Sequence, residues 1–103
     1  MQNKDENFFI KTSDVPIESL SREQKAKLNR KGNKHFNSGD IASAARIFMT
    51  TGYSDGLSRI GDYYMLKNEK LTALKYYKLA HNKANVDLIV EEIAQLIKVM
   101  INN

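Results

Sequence analysis

The sequence predicts an all-α domain of five helices, on three observations. A grammar of Gly, aromatic, polar break, Ala and aromatic runs from Gly32 to Phe48 and returns from Gly61 to Tyr77. Apolar residues recur at helical spacing in every segment after residue 20, and the chain holds a single Pro. The last segment presents an apolar arc of roughly 160°, wide enough to close the open side of a helical stack.

The chain has 103 residues and suits one domain with a modest core. Residues 1–20 read as a flexible tail and 21–103 as the helical domain. Phe8-Phe9-Ile10 is the tail's apolar cluster, expected to tuck on the helices or to be disordered, with a short motif or swapped arm that docks on a partner as the alternative. Val15 before Pro16 disfavours helix there.

The first helix is expected from Ser21 to about Asn37. Ser21 with Gln24 forms a capping box, and Glu23 suits the positive end of the helix dipole. It carries three stripes. Leu28, Gly32, His35 and Phe36 form the packing face, which makes His35 a core histidine rather than a base. Lys27, Arg30, Lys31 and Lys34 form a basic face, and Asn29, Asn33 and Asn37 follow at a spacing of four. Asp40 caps the second helix, about Ile41 to Met49, with Ile41, Ala44, Ala45 and Phe48 inward.

Ser54 or Asp55 is expected to cap a third helix through about Lys67, packing through Leu57, Ile60, Tyr64 and Met65. A fourth, about Lys70 to His81, carries Leu71, Leu74, Tyr77 and Leu79 with Ala73 and Ala80. The loop Lys67-Asn68-Glu69 is short, so these two are antiparallel neighbours. Asn85 is expected to cap the fifth, about Val86 to Ile101. Leu88 and Val99 are left on its polar side. Gly32 and Gly61 stand inside helical patterns, where Gly costs roughly 1 kcal/mol against Ala. A helix that packs too close for a side chain explains them.

These residues resemble the tetratricopeptide repeat, a family of stacked antiparallel helix pairs. In the first copy the match runs through Leu28, Gly32, Phe36, Gly39-Asp40, Ala44 and Phe48. In the second it runs through Leu57, Ile60-Gly61, Tyr64, Ala73, Tyr77 and Ala80. The step from Gly32 to Gly61 is shorter than the family's repeat of about 34 residues. Lys31 stands where an apolar residue is usual, and Asn68 replaces the second turn Gly. No Pro closes either copy.

The resemblance implies a protein-interaction module with a concave groove lined by Asn29, Asn33, Phe36, Asn37, Ser58, Asp62 and Met65. Some members clamp a partner's C-terminal carboxylate. Asn33 matches a clamp Asn, Asn29 stands where a clamp Lys is usual, and Arg59 offers a cation from the second copy. That set implies a generic groove rather than a specific clamp. The function expected is an adaptor or scaffold that binds a peptide segment or a partner subunit.

Charge supplies the alternative. The net charge is +4, and residues 22–34 alone carry six bases against one acid, whereas both ends are acidic. The Lys27, Arg30, Lys31 and Lys34 face could track phosphates. No aromatic interleaves it for base stacking, and the helix after Gly39-Asp40 offers Ile, Ala and Ser where a reading helix wants Arg, Asn or Gln. Nucleic acid is therefore the second reading. A basic first helix and an acidic last one also suit a two-fold homodimer that covers Leu88 and Val99.

Other classes find little footing. There is no Cys, hence no thiol or disulfide chemistry, and only two His are present. No metal-ligand or nucleophile motif appears, so neither catalysis nor a cofactor is expected. No stretch reaches the roughly 18 apolar residues of a membrane span, and residues 1–13 carry early acids without a signal-peptide core. A cytoplasmic protein is expected. The abundant Asn, Lys and Ile fit an AT-rich bacterial genome.

Overall fold

The computed structural model describes residues 16–102. They form α1 (Arg22–Asn37), α2 (Ile41–Thr51), α3 (Ser54–Leu66), α4 (Lys70–Leu79) and α5 (Lys83–Asn102). No strand occurs among the described residues. α1 pairs with α2 and α3 with α4 as helical hairpins; α3 lies against both α1 and α2, and α5 lies on α4.

Local chemistry sets the early boundaries. The capping box closes both ways: Ser21 N–H donates to Gln24 Oε1 at 2.8 Å, and Gln24 N–H donates to Ser21 Oγ at 3.1 Å. Asp40 caps α2 by accepting from Ser43 N–H at 3.3 Å. Gly52, at φ +72°, ends α2 shortly beyond the expected Met49, its N–H bonded to Phe48 O. The expected flexible tail falls mostly outside the described residues, Phe8-Phe9-Ile10 included. Where it enters them, Ile17 N–H donates to Thr50 O at 2.9 Å, beside the end of α2.

Three expectations change. Tyr53, not Ser54 or Asp55, holds the cap position of α3, with no side-chain bond. α4 stops at Leu79 because His81 turns into the left-handed region at φ +57°. Asn82, not Asn85, caps α5: its Oδ1 accepts from Asn85 N–H at 3.2 Å. The reading of Asn85 mistook the third residue of the helix for its cap.

The repeat is geometric as well as compositional. The four positive-φ residues of the described chain are Gly39, Gly52, Asn68 and His81. Gly39 pairs with Asn68 and Gly52 with His81, each pair separated by the same step that takes Gly32 to Gly61. Asn68 does the work of Gly39, tolerating a left-handed φ of 61° that most residues resist. The turn bonds repeat with them: Asp40 N–H to His35 O becomes Glu69 N–H to Tyr64 O, and Tyr53 N–H to Phe48 O becomes Asn82 N–H to Tyr77 O. The starts of α3 and α5, Ser54 and Lys83, are one such step apart. So are Ile60 and Ile89, and both are buried. α5 thus follows α1 and α3 in the same register.

Two clusters make the core. Ile41, Ala44, Ala45, Phe48, Leu57, Ile60 and Ala80 fill the space between the hairpins. Ala73, Tyr77 and Ile89 join α4 to α5, with Tyr64, Met65, Leu74, Val86 and Ile93 around them. The glycines permit close approach, but a ring makes it rather than a backbone. A Cβ on Gly32 would meet Phe48 Cε1 at 2.6 Å, within its own hairpin, and one on Gly61 would meet Tyr77 Cε1 at 2.7 Å. Contact between hairpins rests instead on Gly56, where a Cβ would stand 2.7 Å from Phe48.

The packing departs from expectation at three places. Leu71 is 72% exposed rather than inward. His35 is only half-buried, and its Nδ1 lies 3.3 Å from Asp40 Oδ2 at the α2 cap. α5 covers the stack with its first turns only. Ile89 is its one buried residue, while Val90, Leu96, Ile97, Met100 and Ile101 are exposed. α4 is half the length of α5, so the second half of α5 finds no neighbour along it.

Candidate functional site

Of the expected groove residues, Asn33 and Phe36 meet at Arg59. α1 and α3 touch, and Arg59 rises from α3 toward α1. Its Nη2 donates to Asn33 Oδ1 at 2.6 Å. Its guanidinium carbon lies 5.5 Å from the ring centroid of Phe36 and 5.8 Å from that of Phe48. Asp55 Oδ2 approaches its Nε at 3.9 Å. The Arg59 side chain stays about one-third exposed, so a packed, partly neutralised cation faces solvent beside an aromatic ring.

The remaining polar candidates are tied to neighbouring helices. Asn29 Oδ1 accepts from Thr51 Oγ1 at 2.6 Å, which fastens α1 to the end of α2. Ser58 Oγ accepts from Asn82 Nδ2 at 3.1 Å, linking α3 to the cap of α5. Asp62 accepts from the Tyr77 hydroxyl across the second hairpin. Asn29, Asn33 and Ser58 are half-buried, as are Phe36 and Met65, whereas Asn37, Asp62 and the adjacent Leu66 are exposed. The asparagine stripe therefore serves the stack as much as any groove. Sequence reasoning could not see these bonds, because their partners lie 15 to 26 residues away.

Tyr77 and Asp40 both have altered acidity. Burial, and secondly the Asp62 carboxylate, push the Tyr77 phenol above its ordinary range. Hydrogen bonds from Ser43, then the neighbouring His35, hold the Asp40 carboxyl below its usual range. Neither lies in a cleft with a nucleophile.

The basic face forms as the spacing predicts. Lys27, Arg30, Lys31 and Lys34 are all exposed and line a shallow depression of about 260 Å³. Its position has a structural reason. Lys31 holds the register place of Ile60 and Ile89, which in α3 and α5 are buried against the preceding hairpin. Among the described residues no hairpin precedes α1, and Lys31 there faces solvent. Leu66, 89% exposed beside Met65, was not among the expected site residues. Its signal was available: it follows Met65 as Asn37 follows Phe36 in the preceding repeat.

Among the described residues no group of three or more His, Asp or Glu side chains could hold a metal ion, and no helix is long and apolar enough to cross a membrane. No family model matches the chain, and no solved structure matches it. A protein of Treponema pallidum (strain Nichols), described as uncharacterized, is 45% identical over 97 residues, spanning 94% of this chain and 93% of the relative. The likeness runs nearly end to end, and the chain belongs to the family of that bacterial protein.

Proposed function

We propose that the protein is a non-catalytic adaptor, built as a shortened tetratricopeptide-like stack, that binds a protein partner through the face shared by α1 and α3. Turn geometry that returns in step with Gly32 and Gly61 supports the repeat reading. The observation that carries the binding role is the setting of Arg59. A partly exposed cation sits beside Phe36, with Asn33 and Asp62 held by bonds to Arg59 and Tyr77. Side chains fixed before a partner arrives lose less entropy on binding. Leu66 and the half-exposed Phe36 and Met65 supply apolar contact within that polar frame.

One observation favours nucleic acid as a second reading: Lys27, Arg30, Lys31 and Lys34 are exposed in a single line along α1. The two readings use different surfaces and separate cleanly. Capture of a partner by the wild type should fail for Asp62→Arg with Leu66→Asp, persist for Lys31→Glu with Lys34→Glu, and change little with salt. Binding to a labelled oligonucleotide that is lost on the lysine reversal, with a log–log salt slope near the number of phosphate contacts, would put the function on the basic face instead.

A further inference from the structure

α5 leaves apolar surface uncovered on two stripes: Leu96 and Met100 continue the edge that α4 covers at Ile89 and Ile93, and a second stripe lies beside it. Val90, Ile97 and Ile101 are 50%, 49% and 74% exposed, with Ala94 exposed between them. Positions 90, 94, 97 and 101 alternate steps of four and three, which keeps all four on one seam of a helix. α4 occupies a different edge of α5, through Val86, Ile89 and Ile93. In α1 and α3 the corresponding seam contains Gly32 and Gly61, and each is covered by the aromatic of an antiparallel partner helix. Val90 holds that same register place, and among the described residues no helix follows α5 to cover it.

We infer that a second copy of this chain supplies the missing helix, its α5 lying antiparallel to this α5 about a two-fold axis. The arrangement repeats between chains what α2 does for α1 and α4 for α3. Charge selects the second copy over an unrelated apolar segment. Glu91 and Lys98 flank the seam on the same side, both exposed, and two turns apart, too far to pair within one helix. With Ala94 opposite the partner's Ile97 and Val90 opposite the partner's Ile101, Glu91 comes beside the partner's Lys98. Symmetry makes the reciprocal pair as well. The contact is isologous and closes at two chains. The other end of the stack carries Lys27 and Lys31, so it offers no apolar surface for head-to-tail growth. Leu88 and Val99 lie on the far side of α5 from this seam and take no part in it. The paired segment, residues 89–102, spans roughly 21 Å of helix.

Sedimentation equilibrium of the full chain at tens of micromolar tests the inference, which is independent of the α1–α3 face. The wild type is expected at twice the chain mass, and Ile97→Glu with Ile101→Glu at the chain mass with unchanged helical circular dichroism. Glu91→Lys and Lys98→Glu, taken singly, should each weaken the dimer at least tenfold, and the double reversal should restore it. A monomeric wild type overturns the inference. So does a dimer that survives Ile97→Glu with Ile101→Glu, or a double reversal no tighter than the singles.

Discussion

Tyr77 lies with its ring directly on the backbone of Gly61, so close that a Cβ there would stand 2.7 Å from Cε1. The ring is 3% exposed and its hydroxyl is bonded to Asp62, so it has no free path aside. Gly61→Leu should overpack the second hairpin and cost about 1–3 kcal/mol or more. In a domain of this size that lowers the melting temperature by roughly 4–8 °C per kcal/mol. A variant that melts with the wild type would remove the close-approach explanation of the glycine.

The same tyrosine gives the stack a pH dependence. Its folded pKa is raised above the ordinary value of 10.0 by burial and then by Asp62. The neutral phenol therefore stabilises the folded state fully below pH 10, and that contribution is lost as pH rises above 10, where the unfolded phenol ionises first. Urea midpoints of the wild type should fall from pH 9 to pH 11 more steeply than those of Tyr77→Phe. Parallel pH profiles would show that the Tyr77–Asp62 contact does not set the shift.

Asn82 caps α5 and also donates to Ser58, whereas Asn85 merely receives the cap through its backbone N–H. Asn82→Ala should therefore cost about 1 kcal/mol or somewhat more. Asn85→Ala should stay within about 0.5 kcal/mol of the wild type. Chemical denaturation of the two variants checks this, and the reverse order would return the cap to Asn85.

Much of this fold could be read locally. Ser21 with Gln24 and Asp40 with Ser43 are settled by neighbours within one turn, and the inward set Ile41, Ala44, Ala45 and Phe48 is marked by its helical spacing. What escaped needs distant partners. The asparagine stripe reads as a free polar face until Thr51 and Arg59 are placed opposite Asn29 and Asn33. The wide arc of α5 reads as a lid, because sequence alone does not reveal that α4 ends halfway along it. Of the candidate site, the resemblance offers Arg59 as a cation from the second copy, but not its bond to Asn33. Its cation–π contact with Phe36 and Phe48 depends on how α1 and α2 pack against α3.

Charge reversal on α1 separates recognition from folding. Lys31 and Lys34 are exposed, so Lys31→Glu with Lys34→Glu should leave the denaturation midpoint within about 0.5 kcal/mol per site. A larger loss would mean that the basic face belongs to the stack's own stability.

The central claim, a protein partner on the α1–α3 face, is met most directly by site-specific photo-crosslinking in native cell extract. A photoreactive residue is placed at Asn37, at Leu66, or at Lys78, which is exposed on α4 away from that face. Adducts to one discrete protein from positions 37 and 66, and none from 78, are the predicted result. Nucleic-acid adducts, or equal labelling from all three positions, would contradict it.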